Sequence, residues 1–389
     1  MTQRKLGIAV VGLGGAVGTT MAAGVELLKK GLIGTEGLPL ASFGGTGLVP
    51  YENIVFAGWD LFGDHLAKAA EEHGVLSHKQ YVAAEPALRE IKPWPAVGST
   101  RFLANIEGEN TLAGSHRESI ERLRADLRAF RQRCDDVVVI NLASTEKLAA
   151  EGNEIFNAVA SFEQALDDNS PDISPAMLYA YAAIAEGVPY GNFTPSVAAD
   201  IPALIEFAEK RGVPIAGKDG KTGQTFIKTV LAPALKSRAL RVEGWYSTNI
   251  LGNRDGLALS NEESLASKLK TKSSVLDDIL GYDVEDHIVD IRYYRPRGDD
   301  KEAWDNIDVK GFLGQRMQIK VNFLCKDSIL AAPLAIEIAR CLDLAARRGG
   351  SGIQEQLSVF FKLPMARSGH PEHAFHKQES MLLDWLNGQ

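Results

Sequence analysis

Residues able to bind phosphate and hydroxyls and to move protons crowd into one stretch of this chain. Gly217-Lys218-Asp219-Gly220-Lys221-Thr222-Gly223-Gln224-Thr225 is followed by Leu251-Gly252-Asn253-Arg254-Asp255-Gly256, then by Lys268, Lys272 and Asp277-Asp278. Ammonium groups and glycine-flanked loop amides are what phosphate oxygens require, so the stretch predicts a site for a phosphorylated, hydroxyl-rich molecule. Lys268 and Lys272 stand four apart; on one helix face they repel, which lowers the pKa of at least one and lets it transfer protons near neutral pH.

A second cluster lies near the start. The apolar run Leu6 to Val11 ends in Gly12-Leu13-Gly14-Gly15-Ala16-Val17-Gly18, with helix-like composition from Thr19 to Lys30. That order reads as strand, tight turn and helix, whose N-terminal N–H groups and dipole favour a pyrophosphate. The spacing is GxGxxxG with an extra glycine, and a glycine turn in any parallel α/β unit reads similarly. A second strand, Asn53 to Gly58, leads to Trp59-Asp60. Asp60 is the candidate for ribose hydroxyls, with a plain helix cap as its alternative. It lies well beyond the usual spacing of about 20 residues, so Gly31 to Glu52 is expected to be a loop insertion.

The elements that must position these residues follow from periodicity. Ile120, Leu123, Leu127 and Phe130 predict a helix over 118–133, and Val137 to Ile140 a buried strand. Asn141-Leu142-Ala143-Ser144-Thr145 then falls at the strand's carboxyl end, where open α/β sheets bind ligands, although Ser144 and Thr145 equally suit a helix cap. Helices are expected over 175–185 and 201–210, with a polar loop over 188–196 between them. From Val213 the character changes: strand-like stretches over 242–248, 287–294 and 317–323 predict a more antiparallel second unit. Asp327-Ser328 opens a long helix through Arg348.

Composition narrows the field. The 389 residues exceed what one growing core accommodates, so two structural units are expected. At 45% hydrophobic and 24% charged the chain is an ordinary globular one. A formal net charge of -8 and a pI near 5.6 argue against nucleic-acid or membrane partners, so any phosphate site must be locally basic. Cys134, Cys325 and Cys341 are far apart and read as buried thiols in a reducing compartment. His370, His373 and His376 read as a solvated tail, and no metal is expected. The opening residues lack a cleavage-type site and no apolar run reaches membrane-spanning length, so a cytoplasmic location is expected.

With these motifs in this order, the chain resembles the myo-inositol-1-phosphate synthases, NAD-dependent cyclases of glucose 6-phosphate. The likeness runs from the Gly12 turn to the tail. It rests on Asp219 with Lys221-Thr222-Gly223-Gln224-Thr225, the Leu251–Gly256 loop, and Lys268 and Lys272 before Val275-Leu276-Asp277-Asp278. Gly298-Asp299-Asp300-Lys301 and Asp327-Ser328-Ile329-Leu330-Ala331-Ala332-Pro333 complete it. The resemblance implies an α/β fold: a Rossmann-type NAD-binding domain, residues 1–212 completed by 330–389, enclosing an α+β catalytic domain, residues 213–329, that forms a homotetramer contact.

The implied reaction is redox-neutral: NAD oxidises C5 of glucose 6-phosphate, C6 loses a proton and attacks the C1 aldehyde, and the hydride returns. The resemblance gives Lys268 and Lys362 the proton on the C5 oxygen, gives Lys272 and Lys301 the phosphate and developing oxyanion, and has Asp219 orient a lysine. Thr222, Gly223, Gln224 and Thr225 would receive the phosphate, and Asn249, Asn253 and Asp255 the sugar hydroxyls. Gly12, Gly14, Gly15, Ala16, Val17, Gly18, Asp60, Ala143, Ser144, Asp299 and Asp327 would hold NAD. Asp327 would reach the nicotinamide, and reads equally as a helix N-cap. Ile250, Arg254 and Leu269 depart from the family's usual histidine, asparagine and glutamate, which leaves another hexose phosphate, such as fructose 6-phosphate, as an alternative substrate. A simple NAD dehydrogenase and a non-catalytic NAD-binding regulator are the competing readings.

Overall fold

The computed structural model describes residues 4–103, 106–147, 152–252 and 275–388. Its centre is β1 (Leu6–Val11), apolar and buried at every position, as a strand covered on both faces must be. It pairs in parallel with β2 (Ile54–Asp60) on one side and β4 (Asp136–Asn141) on the other, Leu6 lying opposite Ile54 and Asp136. The seven-stranded sheet has the order β11-β6-β5-β4-β1-β2-β3, with β3 at Trp94–Pro95, β5 at Tyr190–Asn192, β6 at Pro214–Gly217 and β11 at Gly352–Ile353. Strand order reverses between β1 and β4, so their carboxyl ends flank a crevice at the topological switch point.

Helices cover both faces because adjacent residues of β1 point to opposite sides. Ile8 and Val10 pack against α1 (Ala16–Lys29), α2 (Leu66–His73), α3 (His78–Arg89) and the long α9 (Asp327–Arg347). Ala9 and Val11 join the layer of α4 (His116–Arg131), α5 (Val159–Asp167), α6 (Pro175–Ala185) and α7 (Pro202–Arg211). Residues between α1 and β2 add no strand, and buried Glu337 of α9 anchors them by accepting from Leu40 N and Tyr51 Oη.

A second sheet, in the order β10-β9-β7-β8, is built from β7 (Arg241–Leu251), β8 (Asp286–Tyr293), β9 (Asp300–Lys310) and β10 (Arg316–Lys326). β7 and β8 run parallel and the other pairs antiparallel. Val242, Trp245, Ile307 and Val309 form a core with Ala232 and Leu235 of α8 (Gln224–Ser237). The C-terminal helix α10 (Phe375–Leu386) lies against α8.

Several expectations change. β9 was not legible as a strand because Lys301 and Asp305 occupy inward positions and so hide its two-residue period. The segment 188–196 is not all loop: Tyr190–Asn192 is β5, three buried residues between β4 and β6. The change of character at Val213 comes slightly early, since Pro214–Gly217 still belongs to the first sheet. Cys134 and Cys325 are half-buried, and Cys341 alone of the three is buried. His373 is not solvated but buried against Asp278, whereas His370 and His376 are exposed.

Candidate active site

At the carboxyl ends of β1 and β4 lies a cavity of about 420 Å³ lined from both structural units. One arm is the glycine turn. Gly12 takes φ +82, and its N–H donates to Trp59 O at 2.8 Å; that φ favours glycine. A Cβ at Gly12 would lie 3.0 Å from Ala143 Cα, and one at Gly18 2.4 Å from Leu13 O. The N-cap of α1, Gly15, offers no side-chain hydrogen bond, and the first turn carries no acidic residue. Its unpaired N–H groups therefore face the cavity at Ala16, Val17 and Gly18, all of which line it.

Asp60 closes this arm. Its Oδ2 accepts from Gly14 N at 2.8 Å and its Oδ1 from Phe62 N at 3.0 Å. No helix starts there, so it is not a helix cap, and it lines the cavity. Gly14 itself lies behind the turn, bonded to Asp60. Ala143 and Ser144 line the cavity with no helix directly after them to cap.

The other arm carries ammonium groups. Lys362 Nζ donates to Asp219 Oδ1 at 2.6 Å in a buried pair. The backbone repeats the contact, Lys362 N donating to Asp219 O at 2.6 Å and Gly220 bridging Phe361. Lys301 Nζ donates to Asp327 Oδ1 at 3.2 Å, and Thr222 Oγ1 reaches the same oxygen at 3.4 Å. Asp219, Thr222, Lys301, Asp327 and Lys362 all line the cavity.

Asp327 is not the N-cap of α9. That end is served by Asp299, which accepts from Ser328 Oγ at 2.6 Å and from Ser328 N at 3.3 Å. Burial holds the Asp299 carboxyl above its usual range despite those bonds. Gln224, Thr225 and Asn249 lie buried behind the lining: Asn249 Nδ2 donates to Gln224 Oε1, and Gln224 Nε2 reaches Trp304 O at 3.5 Å. Gly223 sits beside Lys301, where an added Cβ would be 3.8 Å from Nζ.

The myo-inositol-1-phosphate synthase family model matches residues 38–387. An inositol-3-phosphate synthase of Bacteroides thetaiotaomicron is 43% identical, covering 98% of this chain and 95% of the relative. The chain belongs to the myo-inositol-1-phosphate synthase family. A rice inositol-3-phosphate synthase is 31% identical over 98% of this chain and 85% of its own. Among solved structures, the inositol-3-phosphate synthase of Caenorhabditis elegans superposes with a TM-score of 0.92 at 28% identity, over 99% of this chain and 86% of that one. A myo-inositol-1-phosphate synthase-related protein of Thermotoga maritima gives 0.84 at 26%, covering 99% of both.

Synthases of this family bind NAD, and the glycine arm fits it. The uncapped α1 N-terminus suits the pyrophosphate, and Asp60, held by Gly14, suits a ribose. Lys268, Lys272, Asn253 and Asp255 lie outside the described residues, as do Arg254 and Leu269; Gly252, just before them, lines the cavity. Ile250 is half-buried on β7.

Two buried titratable residues escaped the sequence reading, one lining the cavity and one outside it. Glu146, on the chain leaving β4, is 4% exposed, and its Oε1 accepts from Ala176 N at 2.9 Å at the start of α6. Burial raises its carboxyl to about 7. Lys228 is buried under the second sheet, hydrogen-bonded to His287 at 2.6 Å, and burial pulls its ammonium down to about 8. Neither belongs to a motif, so only burial singles them out.

Proposed function

We propose that the protein is an NAD-dependent inositol-3-phosphate synthase, closing glucose 6-phosphate to inositol 3-phosphate with no net redox change. The carrying observation is that Lys301 and Lys362, each held by a carboxylate, face the same cavity as the uncapped α1 N-terminus. When bound, NAD would supply hydride-accepting and hydride-donating chemistry at C5. A C–H beside a ketone is acidic because its anion spreads onto oxygen, where fixed cations stabilise it.

Lys362, oriented by Asp219, would handle the proton on the C5 oxygen together with Lys268. Lys301, oriented by Asp327, would meet the developing oxyanion, with Lys272 beside it. Thr222 and Gly223 would receive the phosphate, and Gln224, Thr225 and Asn249 would hold that loop from behind. Asn253 and Asp255 would bind sugar hydroxyls. Gly12 to Gly18, Asp60, Ala143 and Ser144 would seat the dinucleotide, with Asp327 reaching towards its nicotinamide and Asp299 beside it.

The domain division would be residues 1–212 completed by 330–389 and residues 213–329, the latter opening with β6, which still belongs to the first sheet. A homotetramer through the second unit and a cytoplasmic location complete the proposal. Exposed Phe312 and Leu313 at the β9–β10 turn support the former. Among the described residues no helix is long and apolar enough to cross a membrane.

Incubation with NAD and a panel of hexose phosphates tests the reading. Glucose 6-phosphate should give a cyclic phosphate without net NADH, whereas stoichiometric NADH would indicate a simple dehydrogenase. Turnover of fructose 6-phosphate instead would trace to Ile250, Arg254 and Leu269. Lys268→Ala should abolish inositol phosphate formation with NAD affinity nearly unchanged; full activity would reject its assignment.

A further inference from the structure

Helix α10 packs behind the substrate loop, and one buried lysine joins the two. Lys221 is 3% exposed; its Nζ donates to Gln378 Oε1 and lies 5.5 Å from the centroid of the Phe375 ring. Gln378 is fully buried, and its Nε2 donates to Glu372 O at 2.5 Å, so one orientation of the amide serves both partners. Two further contacts flank this bond. Phe226 of α8 meets Phe375 edge-on at 5.3 Å, and His373 Nε2 lies 3.5 Å from Asp278 Oδ2. The backbone N–H of Lys221 donates to Phe360 O at 2.8 Å.

Packing alone does not account for a lysine here. Burying an ammonium against a neutral amide and an aromatic ring is costly, and burial pulls this one down to about 7. A methionine would fill the same space at less cost. What the lysine adds is a directed bond from the loop to α10. It stands between Asp219, which holds Lys362, and Thr222, which reaches Asp327.

We infer that Lys221 is a positioning residue: through Gln378 it ties α10 to the 219–225 loop and sets that loop's affinity for the substrate phosphate. The inference rests on the proposed assignment of the loop to phosphate. In the full-length, NAD-loaded enzyme, Lys221→Met and Gln378→Leu should each raise KM for glucose 6-phosphate about tenfold, with kcat and NAD affinity within about twofold. Inorganic phosphate, titrated calorimetrically, should lose affinity by the same factor. Gln378→Glu keeps an acceptor oxygen for Lys221 and should hold KM near the parent value.

A packing role instead predicts a lower Tm with KM and phosphate affinity unchanged in the folded variants, and that result overturns the inference. Should Gln378→Leu fail to fold, unchanged KM and phosphate affinity in Lys221→Met would do the same. If the parent enzyme makes no inositol phosphate from glucose 6-phosphate, the proposed function falls. The phosphate titration still decides the role of Lys221.

Discussion

Lys362 and Asp219 form a buried pair, so each stabilises the charge of the other and neither is replaceable alone. Lys362→Met should leave the Asp219 carboxylate buried without its ammonium, costing about 3–5 kcal/mol in denaturant unfolding. It should also lower kcat by at least about a hundredfold, as expected for loss of a proton-transferring group. NAD affinity, measured by fluorescence titration, should be unchanged. Glu146 yields a pH prediction. Its carboxyl is raised to about 7 in the folded chain, so between the ordinary carboxylate range and about 7 the folded state binds more protons than the unfolded. Its contribution to stability therefore falls as pH rises through that window. Glu146→Gln should flatten that fall in Tm; an unchanged profile would remove Glu146 as its source. Lys228 has the opposite sign. Its ammonium is lowered to about 8, so above that value stability should rise with pH towards the ordinary lysine range, and Lys228→Met should remove the rise.

The glycine turn and α1 act as one element, and backbone geometry limits what they tolerate. Gly18→Ala would bring a methyl within 2.4 Å of Leu13 O, forcing the turn away from the cavity. NAD affinity should drop by at least about tenfold, while the second sheet, which has a hydrophobic core of its own, keeps its near-ultraviolet signal from Trp245 and Trp304. This element was legible in the sequence because its determinants are local: an apolar run, glycines, then a helical stretch. Helix α6 and the strand stretches of β7, β8 and β10 were legible for the same reason. β9 was not. Its inward positions hold Lys301 and Asp305, polar groups tolerated there because Asp327 pairs with the first, and Trp245 and Ser247 hydrogen-bond the second. An element whose buried face serves a site loses the pattern that would reveal it.

At the scale of the whole molecule, the cavity is shared between the two sheets, so ligand binding and stability are coupled. Saturating NAD at a hundred times its Kd should stabilise the fold by about 2.7 kcal/mol, read as a rise in Tm. At the same NAD concentration Gly18→Ala, with its weakened affinity, should show a smaller rise. The sequence by itself determined the β1–α1 dinucleotide arm, the position of Asp60 after a second strand and the grouping of lysines, glycines and amides, because short-range periodicity and residue chemistry suffice for those. Only the tertiary structure decided the pairs. Lys362 meets Asp219 across 143 residues of chain, Asp299 rather than Asp327 caps α9, and Lys221 finds Gln378 in the C-terminal helix. Which distant charge lies beside which depends on how the chain returns through the sheet and on the burial that follows, and no local pattern encodes either.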